Sequence, residues 1–366
     1  MNWEEYKKII FDKCKERQIP YHVSFELTPF CNFRCNMCYI RLDPEQAKAQ
    51  GVSLSTDDWI NIAKEAKKLG AVSLEITGGE AITRSDFCLL YRTFIKMGFL
   101  IILRSNGYLI SGDVLELLKQ YKPRSICITL YGASDETYKR VCGVSDGYTV
   151  VTNNIIAMKN AGLRVQLSMT MTKDNVNDLD ALKDWSDLNG LSFKAFGGLF
   201  KPLSGTNRSI NHLKIDVFDE EYNTDKEFDV KDRVVPDKDR YLNPFWMCRG
   251  FGAVCSISWD GNVRLCNSMA TISMDLRSSN LKKAYQALYD ELYKIRKPKE
   301  CKDCQVIDFC NACPMRFCSE TGNPEQTCEE ICKIARKRYQ MYLMNNENDK
   351  NIRKVVNVCE EGDIEN

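Results

Sequence analysis

Histidine is almost missing from this chain: His22 and His212 are the only two in 366 residues. That scarcity argues against zinc, copper or non-haem iron sites built on imidazole, and leaves thiolates as the available soft ligands. An excess of charge of either sign is missing too, because 51 Lys and Arg nearly cancel 50 Asp and Glu. No overall field therefore draws the chain onto nucleic acid or an anionic membrane. No run approaches the roughly 18 apolar residues of a membrane span. The opening Met-Asn-Trp-Glu-Glu-Tyr-Lys-Lys lacks the basic and then apolar stretch of a signal peptide. These absences point to a cytoplasmic protein with neither a nucleic-acid nor a membrane partner. Internal repeats and low-complexity tracts are absent as well.

Cysteine, by contrast, is abundant, with eighteen in the chain. In a reducing compartment these stay thiols, so metal binding or catalysis is the reading they support. A hydrophobic share of 44% supplies a core for one large domain and a smaller one.

Between residues 20 and 200, short β-branched runs near 22–27, 72–77, 99–105, 125–131, 163–170 and 192–196 alternate with helix-length amphipathic stretches. Four of those stretches end in Gly70, Gly98, Gly162 and Gly190, which suit the left-handed position after a helix. The pattern predicts an α/β fold on a parallel sheet, either a partial (β/α)6 barrel of the TIM type or a doubly wound sheet. In both, chemistry gathers at the carboxyl ends of the strands. Residues 1–200 form that domain, with one short N-terminal helix. Residues 201–246 read as a charged connector, 247–344 as a Cys-rich, loop-rich domain, and 345–366 as a polar tail.

Cys31, Cys35 and Cys38 follow the first strand with three and then two residues between them. Three thiolates on one tight loop can hold three corners of a cubane cluster and leave the fourth iron open. A closed zinc site wants a fourth ligand, and none lies nearby in the sequence. Ten further cysteines fall between Cys248 and Cys332, in a stretch with few apolar runs. Two four-thiolate zinc sites or two iron–sulfur clusters would each hold such a stretch together.

At Cys31-Asn-Phe-Arg-Cys35-Asn-Met-Cys38 the chain resembles the radical S-adenosylmethionine (SAM) superfamily. Thr77-Gly78-Gly79-Glu80 resembles its Gly-Gly-Glu-Pro segment, with Ala81 in place of proline. Arg104-Ser105-Asn106-Gly107 and Thr129-Leu130-Tyr131-Gly132 resemble the segments that follow its third and fourth strands, with Tyr131 where many relatives have Asp. The resemblance implies a [4Fe–4S] cluster on Cys31, Cys35 and Cys38, with SAM on the open iron as the source of a 5′-deoxyadenosyl radical. It makes Gly78, Gly79, Glu80, Ser105, Asn106 and Thr129 candidate SAM contacts.

Residues 248–332 resemble the SPASM extension of that superfamily, which carries two auxiliary [4Fe–4S] clusters and brings the total to three. By family pattern Cys248, Cys255, Cys266 and Cys313 bind one, and Cys301, Cys304, Cys310 and Cys332 the other. Gly261 marks the turn before Cys266. Cys328 competes with Cys332 for the last position, Cys318 is unassigned, and Cys14, Cys88, Cys127, Cys142 and Cys359 read as structural thiols.

Members of the group mostly modify peptides, so the resemblance implies an oxidoreductase maturing a ribosomally made peptide by thioether or carbon–carbon crosslinking, epimerisation or oxidation. Its partners would be a leader-bearing peptide and a flavodoxin- or ferredoxin-type electron donor. About 20 residues precede the first strand, too few for a fused leader-binding domain, so the barrel, the 201–246 connector or a separate leader-binding protein would have to recognise the peptide. The alternatives are a small-molecule dehydrogenase and a sulfatase-maturase-like enzyme. The second is disfavoured because Asn267, not the expected Asp, follows Cys266. A non-catalytic zinc-binding interaction protein is disfavoured by the open three-cysteine loop.

Overall fold

The computed structural model describes residues 3–199, 210–215, 244–245, 248, 250–267, 272–310 and 312–345. Most of the expected connector 201–246, almost all of the tail 345–366, and Cys359 lie outside the described residues. The described part divides into two compact units, one comprising residues up to 215 with 248–294, the other 244–245 with 295–345.

In the first unit, helix α1 (Trp3–Glu16) leads into strand β1 (His22–Glu26). Two helices, α2 (Pro44–Gln50) and α3 (Thr56–Lys68), precede β2 (Ser73–Thr77). Then follow α4 (Phe87–Lys96), β3 (Leu100–Ser105), α5 (Gly112–Gln120) and β4 (Ser125–Thr129). Two more helices, α6 (Asp135–Cys142) and α7 (Gly147–Asn160), lead to β5 (Val165–Thr170), α8 (Leu179–Leu188) and β6 (Ser192–Phe196). Strands β1 to β6 pair in parallel in sequence order, the arrangement of a partial (β/α)6 barrel. The four glycines marked in the sequence all take the left-handed conformation where their helices end.

Alternation along β1 decides what faces what. Val23, Phe25 and Leu27 are fully buried. Phe25 packs against Trp59 of α3 and Phe94 of α4, with ring centroids 5.0 and 5.6 Å away. Ser24, Glu26 and Thr28 therefore point to the opposite face of the sheet. Self-satisfied helix starts support the helical layer: Ser55 and Asp58 close a capping box on α3, and Asp43 and Gln46 close one on α2.

The stretch 247–344, expected as one domain, is divided between the two units. β7 (Val254–Ile257) pairs in parallel with β1, His22 opposite Val254, and extends the sheet. β8 (Asn262–Arg264) folds back antiparallel after a turn at Gly261, β9 (Met274–Asp275) pairs with β8, and α9 (Leu281–Tyr293) follows. The edge of β1 has unpaired backbone donors and acceptors, and β7 satisfies them. At the start of α9, the Leu281 N–H donates to Glu65 of α3 at 2.7 Å.

In the second unit, short turns lead to α10 (Pro314–Thr321) and α11 (Glu329–Asn345). A small core of Ala312, Phe317 and Ile331 has Cys310 and Cys328 packed against it. Among the described residues of the chain, no helix is long and apolar enough to cross a membrane.

Candidate metal and cofactor site

The cysteine loop leaves β1 and is stitched to α6, where the Arg34 and Asn36 N–H groups donate to the Cys142 and Val141 carbonyls at 2.8 and 2.9 Å. Within the loop, the Phe33 N–H donates to Cys31 Sγ and the Arg41 N–H to Cys38 Sγ, both at 3.3 Å. Backbone donors aimed at sulfur stabilise the thiolate form that a metal requires. Phe33 anchors the loop by edge contacts with Tyr108, Tyr131 and Tyr138.

The ends of β2 and β3 converge on that loop. Glu80, in the turn after β2, is buried, and its Oε2 accepts the Asn106 N–H at 2.8 Å and the Ser105 hydroxyl at 3.0 Å. Its Oε1 accepts the Ile82 N–H at 3.3 Å. Burial pushes the carboxyl up to about 7, while these hydrogen bonds oppose the rise. Asn106 Nδ2 in turn donates to Asn32 Oδ1 at 2.8 Å and approaches Cys31 Sγ at 3.7 Å. Glu80, Ser105, Asn106 and Cys31 thus form one connected assembly.

Gly78 and Gly79 bring the turn against the cysteine loop. The Gly79 N–H donates to the Thr28 carbonyl at 2.7 Å, and the Glu80 N–H to the Phe30 carbonyl at 2.8 Å. A Cβ on Gly79 would lie 2.2 Å from Phe30 O, and one on Gly78 would lie 2.6 Å from Thr28 O. Gly78 also has φ of +135°, open to glycine alone at low cost. Thr129 ends β4 half-buried, opposite Ser168 of β5.

Burial pushes the Cys31 thiol up to about 12, with Glu80, Cys35 and Cys38 adding to the rise and the Phe33 N–H opposing it. Cys35 is held well above its ordinary range, first by a hydrogen bond with Cys142 and then by burial, while the Tyr131 hydroxyl opposes by hydrogen-bonding to it. Sequence spacing had given no sign of Cys142, because only the packing of α6 brings it to the loop.

Among the described residues no three His, Cys, Asp or Glu side chains converge as ligands of a single metal ion. The Cys31, Cys35 and Cys38 thiols nonetheless lie within electrostatic reach of one another, with amide donors on two of the sulfurs. A thiol-only set grouped in this way fits an iron–sulfur cluster, whose protein ligands are Cys thiolates.

In the second unit, Cys301 feels Cys310, Cys304 and Cys332, and Cys332 feels Cys310 and Cys304. These four are the expected second auxiliary set. Cys328, like Cys310, packs against the Ala312–Phe317–Ile331 core. Of the other set, Cys248, Cys255 and Cys266 lie in the first unit and Cys313 in the second. Cys255 is buried in β7, and burial alone pushes its thiol up to about 12. Its electrostatic neighbour is Tyr285 of α9, which Cys14 of α1 also reaches.

Residues 25–185 match the family described as the radical SAM superfamily. The chain is 21% identical over 336 residues to an AdoMet-dependent heme synthase of Methanosarcina barkeri, covering 83% of this chain and 94% of that protein. It is 27% identical over 198 residues to the antilisterial bacteriocin subtilosin biosynthesis protein AlbA of Bacillus subtilis, covering 54% of this chain and 43% of AlbA. It spans about half the length of archaeal proteins described as probable GTP 3′,8-cyclases, 55% in the case of Pyrobaculum aerophilum. Solved structures of Streptococcus suis SuiB, bound to S-adenosylmethionine and to the precursor peptide SuiA, superpose with TM-scores of 0.64 and 0.66. They are 17% and 18% identical, and each comparison covers 88% of this chain and 78% of SuiB.

Proposed function

Because this chain belongs to the radical SAM superfamily, we propose that Cys31, Cys35 and Cys38 hold a [4Fe–4S] cluster with SAM and that the enzyme modifies a ribosomally made peptide. When bound, that pair supplies a 5′-deoxyadenosyl radical able to take a hydrogen atom from substrate. The chain's own residues bind and orient. Gly78 and Gly79 dock the turn on the cysteine loop, Glu80 ties the ends of β2 and β3 together, and Asn106 reaches from β3 to the loop. Gly78, Gly79, Glu80, Ser105, Asn106 and Thr129 border the SAM site in this reading.

The observation that carries the chemistry is the cysteine loop with backbone donors on Cys31 and Cys38, joined to the Glu80–Asn106 assembly. The peptide reading is supported by the likeness to SuiB, whose structure holds a precursor peptide, and to AlbA, a bacteriocin biosynthesis protein. Two auxiliary clusters, on Cys248, Cys255, Cys266 and Cys313 and on Cys301, Cys304, Cys310 and Cys332, would make the enzyme an oxidoreductase able to accept an electron from the substrate radical. A flavodoxin- or ferredoxin-type donor would supply the reducing electron, a separate protein would present the leader, and the thiol-rich chain would work in the cytoplasm.

The test is anaerobic incubation of the reconstituted enzyme with SAM, dithionite and a small peptide encoded beside its gene. A mass change in the peptide coupled to 5′-deoxyadenosine formation is expected, on protein carrying about twelve irons. Turnover only of non-peptide substrates would sink the peptide reading. That second reading, a small-molecule substrate, is favoured by the alignment that covers 94% of the heme synthase.

A further inference from the structure

The sheet has two unlike faces. Away from α3 and α4, the strands present Ser24, Glu26, Glu75, Arg104, Ser256 and Arg264, placed there by strand alternation and register. Several of these polar groups satisfy one another. Arg104 Nε donates to Glu75 Oε2 at 2.6 Å, and the Ser24 hydroxyl to Glu75 Oε1 at 3.1 Å. Nearby Asp260 accepts from the Ser258 hydroxyl and from Asn262 Nδ2.

Three neighbouring groups are left over. Glu26 Oε1, Ser256 Oγ and Arg264 Nε are buried without a hydrogen-bond partner among the described residues. They are contiguous: Ser256 stands opposite Ser24 in the β1–β7 register and opposite Arg264 in the β7–β8 register. Arg264 Nη1 lies 4.0 Å from Glu26 Oε2. Glu26 and Ser256 are only 3% and 1% exposed. Buried polar atoms are rarely left unused, so an adjoining acceptor, hydroxyl and donor call for a ligand that offers the reverse set.

We propose that Glu26, Ser256 and Arg264 bind an amide group of the substrate, a peptide bond or a side-chain carboxamide. Arg264 Nε–H donates to the amide oxygen, Glu26 Oε1 accepts the amide N–H, and the Ser256 hydroxyl serves either. A carboxylate would meet Glu26 with like charge, and an ammonium would meet Arg264; a neutral amide satisfies both. Burial pushes Glu26 up to about 7, with Arg264 opposing and Asp260 and Glu75 adding. The inference rests on the peptide reading, and it names the part of the sheet that would hold the peptide backbone.

The probe is N-acetyl triglycine amide, which offers backbone amides and no side chain. It is added to the anaerobically reconstituted full chain with SAM and followed by saturation-transfer difference NMR. Transfer to the wild type is expected to fall at least fivefold in Arg264→Met and Glu26→Met, at unchanged iron content and helical circular dichroism. Glu26→Gln keeps an acceptor and the packing, and an intermediate signal is expected; it decides the matter if Glu26→Met loses its fold. No transfer to the wild type overturns the proposal, as does equal transfer to folded variants. If the probe binds at these residues yet no peptide is ever turned over, the site stands and the peptide reading fails. If a peptide is turned over while the variants bind the probe as the wild type does, the reverse holds.

Discussion

The Asn106 backbone N–H donates to Glu80 Oε2 at 2.8 Å, while its side-chain amide donates to Asn32 Oδ1 at the same distance. One residue at the end of β3 thereby holds both the turn after β2 and the loop that carries Cys31. Asn106→Ala keeps the first bond and removes the second. A stability loss of about 1 kcal/mol is expected by thermal unfolding. Slower 5′-deoxyadenosine formation is expected as well, with the uncoupled rate as the measurement.

Gly79→Ala should be far more damaging, because its Cβ would lie 2.2 Å from a backbone oxygen that no rotamer change can move. A cost of about 3 kcal/mol and depleted loop iron are expected. Gly198 has open space around its Cβ position, so Gly198→Ala should stay within about 0.5 kcal/mol of the wild type. Equal melting temperatures for the two variants would refute the close approach of the turn to the loop.

Glu80 gives a pH signature. Its folded-state value, about 7, lies above its ordinary 4.5 because it is buried. A group raised in this way contributes its stability in full below the unfolded value and loses it as pH rises through the folded one. The wild type should therefore lose stability relative to Glu80→Gln between roughly pH 4.5 and 7, by at most about 3 kcal/mol. The pH slope of the difference in melting temperature is the readout, because the fixed cost of the amide cancels from it. A flat difference would exclude a buried, titrating Glu80.

Cys332 lies within electrostatic reach of Cys310 and Cys304 and is the thiol expected to bind metal. Cys332→Ala is expected to lose about four of twelve irons after reconstitution, with a matching loss of the auxiliary signal in Mössbauer spectra. Cys328→Ala should retain all of them and cost about 1 kcal/mol from lost packing. The opposite pattern would exchange their roles.

Much of the fold is legible in the sequence because its signals are local. β-branched runs mark strands close to their observed limits, and glycine after a helix-length amphipathic stretch marks helix ends through the left-handed conformation it tolerates. The cysteine loop is legible for the same reason, since Cys31, Cys35 and Cys38 are bound together by spacing alone. The other relationships join residues far apart in the chain. Cys142 lies against Cys35 only through the docking of α6, and β7 completes the sheet only because the edge of β1 is open to it. Cys328 and Cys332 are indistinguishable by spacing, and only the folded second unit brings Cys332 within electrostatic reach of Cys304 and Cys310. By itself the sequence determined the order of strands and helices and the chemistry of thiolate ligation. Only the tertiary structure decided which thiols meet, that Glu80 is the hub of the site, and that Glu26, Ser256 and Arg264 stand together with hydrogen bonds to spare. Those facts depend on long-range packing and on buried polar atoms finding partners, neither of which is encoded at any one position along the chain.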